Sequence, residues 1–296
     1  MTPSFRPASD IKRGTRQRLE YIEIMAYYTG VVTRSDVARA FGISDAAATK
    51  DLKLYNELAP GNLHYRHRVF GFVPGEDFTP LFADLDPAVV LPVMAANLVA
   101  PGADPGEGSL YGIPVERLPL PGRFPRREVL AAVIRAIRHG RQLEVRYHSL
   151  SDGADAEARI LEPHSLVHTG LRWHVRAYDH RHYDFRDFVL SRIGSATLLD
   201  TPAESSMHYD DDWMETVVLK LAPHPGLGEA RRQNLLMDYA AEDGVIAIPV
   251  RRALLGYLLQ RLSVDSTREH SLNPEAYQLV VLNREEIEPF AGWAFL

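Results

Sequence analysis

Apolar positions recur at helical spacing close to the start of the chain. Leu19, Ile22, Met25 and Ala26, with Tyr21 and Tyr28 beside them, predict a first helix over about Thr15 to Thr29. A short Gly30-Val31-Val32 link leads to Thr33, an N-cap with Asp36 three residues on, and Val37, Ala38 and Phe41 keep the helical period until Gly42 ends it. Ser44 caps a third helix running to about Leu58. Its Ala47, Leu52, Leu54 and Tyr55 can pack, while Asp45, Thr49, Lys50 and Lys53 stay polar. Two short helices joined by a Gly-containing turn form a helix-turn-helix. After Pro60-Gly61 the pattern changes: residues 62–73, NLHYRHRVFGFV, read as a strand, a tight turn and a strand, the wing of a winged helix-turn-helix. Leu63, Tyr65 and Val69 are expected to close the core, leaving His64, Arg66, His67 and Arg68 near phosphate.

Residues 74–124 are rich in Pro and Gly, notably PGADPGEGSLYGIP from Pro101, and hold one apolar helix candidate, Pro87 to Leu98, interrupted by Pro92. A helix follows over Arg126 to Arg138, with Val129, Leu130, Val133, Ile134 and Ile137 along one side and Gly140 at its end. Strands then dominate: QLEVRYHSL, two more around the His168-Thr169-Gly170 turn, and a run near Phe185 to Ile193. On the Arg172 to Tyr178 strand, alternation places Trp173, Val175 and Ala177 on one face, expected to be core. His174, Arg176 and Tyr178 share the other, expected to be a polar reading surface. Beyond Pro202 the order strand (TVVLKLAP), helix (GEARRQNLLMDYA), strand (GVIAIPV), helix (RRALLGYLLQRL), strand (YQLVVL) predicts a small α+β domain.

Composition narrows what these elements can do. The 296 residues contain no cysteine, which excludes disulfides, thiolate metal sites and a cysteine nucleophile. The polar start and the lack of an apolar run near eighteen residues predict a cytoplasmic protein without a membrane partner. Net charge is −6, yet residues 1–73 carry eleven Lys/Arg against seven Asp/Glu, so a head of +4 sits on a body of −10. A basic head on an acidic body fits local contact with a phosphate backbone. Seven of the twelve histidines fall between His139 and His182, but His180-Arg181-His182 lacks the convergent ligands a zinc site requires. No nucleophile elbow, phosphate loop or dinucleotide fingerprint occurs, so no metal, cofactor or enzymatic activity is expected.

Two stretches carry a resemblance. TRSDVARAFGISDAAATKDL is similar to regulator helix-turn-helix sequences over its full length, and LRWHVRAYDHRHYDFRDFVLSRI, from Leu171 to Ile193, resembles the WYL domain, a small Sm-like barrel of bacterial transcription regulators. Trp173, His174 and Val175 stand where the family name has Trp-Tyr-Leu, so two of the three letters differ, and Arg192-Ile193 match the closing Arg-Ile. The resemblance implies a multidomain α+β chain. Expected are a winged helix-turn-helix over 1–80, a helical connector over 81–124, a WYL β-barrel over 125–202 and an α+β dimerisation extension over 203–296.

The layout is similar to WYL regulators encoded beside BREX and CBASS anti-phage systems. That implies a homodimeric transcriptional repressor of a phage-defence operon, binding an inverted-repeat operator in double-stranded DNA with recognition helices about 34 Å or a multiple apart. A nucleotide or nucleic-acid effector would release it. An activator of a DNA-damage type response, or a nucleic-acid-sensing adaptor without operator binding, are the alternatives. Ser44, Asp45, Ala46, Thr49 and Lys50 are the candidates for base edges, and Lys53, Arg66 and Arg68 for phosphate. Carried over from the WYL pattern, Tyr147, Ser149, His164, Arg176, Arg186 and Arg192 are the effector-binding candidates, with Asp179, Asp184 and Asp187 as rival acidic partners for the arginines.

Overall fold

The structure is a computed structural model that describes residues 11–96, 111–115, 118–150, 156–241 and 243–295. It divides into two compact units, residues 1–119 and 120–296.

The first unit contains α1 (Arg13–Thr29), α2 (Arg34–Phe41) and α3 (Asp45–Leu58), then a hairpin of β1 (Leu63–Arg66) and β2 (Gly71–Pro74). Local chemistry sets these limits. Thr33 and Asp36 form a reciprocal capping box at the start of α2, Gly42 ends it in the left-handed region (φ 60°), and the Ser44 hydroxyl accepts the Ala47 N–H to open α3. The hairpin is antiparallel, and Val32 exchanges backbone hydrogen bonds with Phe72, which ties the wing to the α1–α2 link. Leu63 is buried as expected. Tyr65 and Val69 are not: they are 46% and 44% exposed, Val69 because it falls in a 3-10 turn, His67–Val69, and Tyr65 because its ring lies against its hairpin partner Phe72 on the open side of the wing.

A further helix, α4 (Pro87–Ala96), tolerates Pro92 inside it; Asn97 and Leu98 of the expected helix, and residues 101–110 of the Pro/Gly-rich stretch, lie outside the described residues. Phe82, Val90 and Tyr111, all from the expected connector, are buried in the same core as Leu19, Ile22 and Tyr55. A buried carboxylate holds this arrangement. Glu23 of α1 accepts the backbone N–H groups of Leu81, Phe82 and Ala83 at 2.7, 2.8 and 2.6 Å and the Tyr55 hydroxyl at 2.9 Å. Asp51 of α3, also buried, is gripped by Arg18 Nε at 2.6 Å, which fixes α3 against α1.

In the second unit α5 (Arg127–His139) packs on a five-stranded antiparallel sheet. Its strands are β3 (Arg141–Tyr147), β4 (Glu157–His168), β5 (Trp173–Asp179), β6 (Asp184–Val189) and β7 (Ile193–Pro202), in the order β6-β5-β4-β3-β7. Strands four places apart in a flat sheet would be separated by roughly 19 Å. Yet β6 and β7, at the two ends, are joined only by the 3-10 turn Leu190–Arg192, and the four Cα steps from Val189 to Ile193 reach at most about 14 Å. The sheet must therefore curl into a barrel, and register shifts in β3–β7 and at Pro163/Ser165 of β4 supply the bends. Val175 and Ala177 lie in its core with Leu143, Val145 and Val133, whereas Ile134 of α5 stays 46% exposed.

A connecting strap, residues 203–215, includes the one-turn helix α6 (Asp211–Met214) and leads into the C-terminal domain. There α7 (Glu229–Asp238), α8 (Arg252–Arg261) and α9 (Arg284–Ala291) accompany β8 (Thr216–Pro223), β9 (Ile246–Arg251), β10 (Val264–Asp265) and β11 (Leu279–Val281). The sheet order is β10-β11-β8-β9, with β10 and β11 parallel, and Leu219, Leu221, Leu255, Leu259 and Ile287 form its core. The expected strand-helix-strand-helix-strand order is present, and the whole is a multidomain α+β fold.

Removing the Glu23 side chain would leave three backbone amides and a hydroxyl without their acceptor, a penalty of about 3–5 kcal/mol for a broken buried charged network. Glu23→Ala is expected to raise hydrogen exchange across α1 and residues 81–83 while the 120–296 unit keeps its protection. Unchanged exchange at residues 81–83 would show that the carboxylate does not hold them.

Candidate nucleic-acid interface and effector site

Along α3 the side chains that face away from the core form an exposed row: Ala46, Thr49, Lys50 and Lys53 are open to solvent, opposite buried Ala48, Leu52 and Tyr55. Two of the expected base-reading residues have local duties as well. Ser44 spends its hydroxyl on the helix cap, and Asp45 faces Arg34 of α2 at 3.5 Å in a solvent-exposed pair. The Thr49 hydroxyl donates to the Asp45 carbonyl at 2.8 Å, so its methyl and oxygen are held in one orientation. Arg66 and Arg68 on the wing are exposed, as are His64 and His67.

Between α3 and the wing runs a groove of about 870 Å³ bordered by Thr49, Lys53, Asn56, Tyr65, Phe70 and Phe72. Phe70, at the wing tip, is 77% exposed with its backbone in the left-handed region (φ 48°). The sequence pattern gave it no role, because an apolar residue after Val69 reads as the start of the returning strand.

The second cluster centres on β5, and its polar face is covered rather than open. His174 and Arg176 are 1% and 6% exposed, and on the opposite face Trp173 is 37% exposed instead of fully buried. The reason lies outside the strand. Tyr257 of α8 packs its ring 5.0 Å from that of His174, and its hydroxyl donates to Asp187 at 3.1 Å, so the C-terminal domain roofs this part of the barrel.

Arg176 grips Asp210 of the strap with two N–H groups, Nε at 2.7 Å and Nη2 at 2.9 Å, while Nη1 stands 3.7 Å from Asp187, its cross-strand neighbour. His164 Nε2 lies 3.1 Å from the same Asp210 carboxylate, and its ring is bracketed by Phe185 and Trp213. Burial pushes the Asp210 carboxyl up, but the hydrogen bonds from Arg176 and His164 outweigh it and hold the group below the ordinary carboxylate range. Asp187 moves the other way: burial outweighs Arg176 and raises it.

Of the six effector candidates, then, His164 and Arg176 converge on one point. The others do not join them. Tyr147 lies in the barrel core, where its hydroxyl accepts the Val189 N–H at 3.2 Å. Ser149 is half-buried beyond the end of β3, and Arg186 is exposed on β6 opposite Ala177. Arg192 is half-buried in the β6–β7 turn, where its carbonyl accepts the His148 N–H at 2.9 Å. The rival acids divide too: Asp179 binds Arg159 at 2.9 Å and His182 at 2.5 Å, not Arg176.

Two buried acids that sequence reasoning passed over hold the strap, one of them in this cluster. Asp210 was visible only as part of an acidic Asp210-Asp211-Asp212 run. Glu162, in the Glu-Pro-His step, is buried and accepts from Gln142, from His180 and from the backbone N–H groups of Glu204 and Ser205. Residues 162 and 164 of one strand thus anchor both ends of the strap segment 204–210. Among the described residues no group of three or more His, Asp or Glu could hold a metal ion, and no helix is long and apolar enough to cross a membrane.

Comparison with known proteins matches each part of this arrangement. The winged helix-turn-helix domain of the BrxR transcriptional regulator matches residues 14–96, the WYL domain 128–198, and the C-terminal dimerization domain of the BrxR transcriptional regulator 216–287. The DNA-binding transcriptional repressor CapW of Escherichia coli (strain KTE188) is 36% identical over 93% of this chain and 91% of its own length. The chain belongs to the CapW family. The CapW of Pseudomonas aeruginosa is 35% identical over 97% of this chain and 95% of that protein, and the CapW of Stenotrophomonas maltophilia 31% over 95% and 93%. CapW proteins are repressors, and this family member is not an enzyme. The exposed row on α3 and the wing fall within the matched winged-helix segment, and His164 and Arg176 within the matched WYL segment. Asp210 falls between the WYL and C-terminal matches.

His174 gives this cluster a measurable signature. Burial, with the Arg172 and Arg192 charges nearby, lowers its imidazole from an ordinary 6.5 to about 4. The stability that goes with the neutral buried ring is complete above about pH 6.5. It is lost as pH falls toward 4, because the unfolded chain takes up the proton first. His174→Phe is expected to remove that part of the acid sensitivity, amounting to about 3 kcal/mol between pH 7 and 4. Urea denaturation of parent and variant at both pH values measures it, and parallel losses would contradict the assignment.

Proposed function

We propose that this CapW-family chain is a homodimeric, sequence-specific DNA-binding repressor of a phage-defence operon, acting in the cytoplasm and released by a nucleotide or nucleic-acid effector at the WYL barrel. The observation that carries the DNA-binding part is the exposed row of Ala46, Thr49, Lys50 and Lys53 beside a wing that presents Arg66 and Arg68. A helix with exposed short and cationic side chains can enter a major groove, and wing guanidiniums beside it can reach the flanking phosphates. The near full-length likeness to repressors supports the sign of regulation. The convergence of Arg176 and His164 supports an anionic effector, since guanidinium pairs with phosphate through a planar two-point fork. The reading keeps the domain limits expected from sequence, 1–80, 81–124, 125–202 and 203–296, as part of the proposal, with the strap as the start of the dimerisation extension.

Gel shifts on the duplex upstream of the chain's own gene test the first part. Thr49→Ala with Lys50→Ala should abolish binding to an inverted repeat while competitor DNA of random sequence still binds. Binding that survives unchanged would point to an adaptor without operator recognition. Arg66→Ala with Arg68→Ala should weaken all sequences about equally and reduce the salt slope by roughly one per lost phosphate contact.

For the dimer, α7 is the informative element. It buries none of its residues, Leu235 and Leu236 are half-buried, and Met237 is 77% exposed. Leu235→Glu with Met237→Glu is expected to give a monomer by light scattering, with operator affinity that falls steeply on dilution. A dimer that persists would move the interface off α7.

A further inference from the structure

The side chains that the effector reading above assigns to a phosphate already hold an anion of the chain's own. Arg176 gives Nε and Nη2 to the two oxygens of Asp210, and His164 Nε2 adds a third contact. This is the fork geometry with which guanidinium binds two oxygens of a phosphate. The remaining guanidinium nitrogen faces Asp187 at 3.7 Å, so an added anion would meet donors that are already engaged.

Asp210 is not part of the barrel. It rides on the strap and caps α6, where its Oδ1 accepts the Trp213 N–H at 3.2 Å. From α6 the contacts run into the C-terminal domain: the Trp213 ring lies 5.0 Å from the Arg251 guanidinium, its carbonyl accepts from Arg251, and Glu215 pairs with Arg252 at 2.5 Å. One carboxylate therefore connects Arg176 and His164 of the barrel to the β9–α8 corner of the C-terminal domain.

We infer that Asp210 is a tethered competitor for the effector's phosphate. While Asp210 occupies Arg176 and His164 the strap is clamped; a phosphate that takes its place unclamps α6 and removes one tie between the C-terminal domain and the barrel, the Tyr257 contacts to His174 and Asp187 being separate. A tethered group competes at an effective concentration far above that of a free ligand, so the clamp sets a threshold for the signal. A phosphate carries up to two charges against the carboxylate's one, and so can still win the site. This rests on the effector reading and adds how the site is kept closed.

The test uses the full chain with three probes: inorganic pyrophosphate, a cyclic dinucleotide and a 5′-phosphorylated single-stranded oligonucleotide, which separate the possible sources of the phosphate. Asp210→Asn keeps the size of the side chain and an acceptor for Trp213 while removing the charge. In calorimetric titration it should bind at least one probe about tenfold more tightly than the parent, a shift typical of coupled sites. Trp213→Ala, which loosens the strap and leaves the charged groups in place, should shift affinity in the same direction by a smaller factor. Arg176→Gln added to Asp210→Asn should cancel the gain. Hydrogen exchange over residues 206–215 should rise in Asp210→Asn, and in the parent on adding the bound probe.

Equal or weaker binding by both Asp210→Asn and Trp213→Ala, or no binding of any probe by either, would overturn the inference and leave Asp210–Arg176 a structural ion pair. Because Trp213→Ala keeps the buried charges paired, an unfolded Asp210→Asn does not end the test. Failure of the repressor reading would appear separately, in gel shifts that need no probe.

Discussion

The fork between Arg176 and Asp210 is the constraint on which the 120–296 unit depends. A guanidinium on a central barrel strand cannot be sealed from water without an anion, and among the described barrel residues its acidic partner is Asp187 at 3.7 Å. The chain meets the requirement by bringing back a residue 34 positions later. That return fixes the course of the strap. The course of the strap in turn places α6, and α6 contacts the β9–α8 corner of the C-terminal domain. Tyr257 of α8 then completes the cover over His174 and Asp187. The order of cause runs from one buried charge to the arrangement of two domains.

The same device recurs where the chain has no regular structure to hold it. Glu23 binds the amides of residues 81–83, Glu162 those of 204 and 205, and Asp210 caps a single helical turn. Each is a buried carboxylate that gathers backbone N–H groups from a segment without a ladder of its own. Such sites contribute less net stability than an apolar contact of equal size, but they tolerate few alternative arrangements. Their value here is register: each one specifies which residues of a loop lie against which helix or strand.

Much of this molecule was legible in the order of its residues. The capping box at Thr33 and Asp36, the left-handed Gly42, the Ser44 cap and the five alternating elements after Pro202 are local features, and local chemistry decides them. What failed was non-local. Tyr65 carries the right hydrophobicity for the core, but it borders a groove that only the pairing of α3 with the wing creates. Trp173, His174 and Arg176 obey the alternation, yet no single strand reveals that another domain will cover its polar face. Arg176 could be seen to require an anion; Asp210 could not be distinguished from the two aspartates that follow it. Tyr147 was placed by family resemblance in a pocket and by its neighbours in the core, where its hydroxyl serves the Val189 amide.

The position of Asp210 bears on how the barrel can be studied in isolation. The matched WYL segment ends at residue 198 and the matched C-terminal segment begins at 216, so the counter-ion of Arg176 lies in the interval that belongs to neither. A fragment cut at those limits would keep the cation and discard the carboxylate. It would offer sulfate, phosphate or nucleic acid a guanidinium that the intact chain keeps occupied, and its affinities would not describe the intact chain. The linker between the two domains is, chemically, the second half of the Arg176 ion pair.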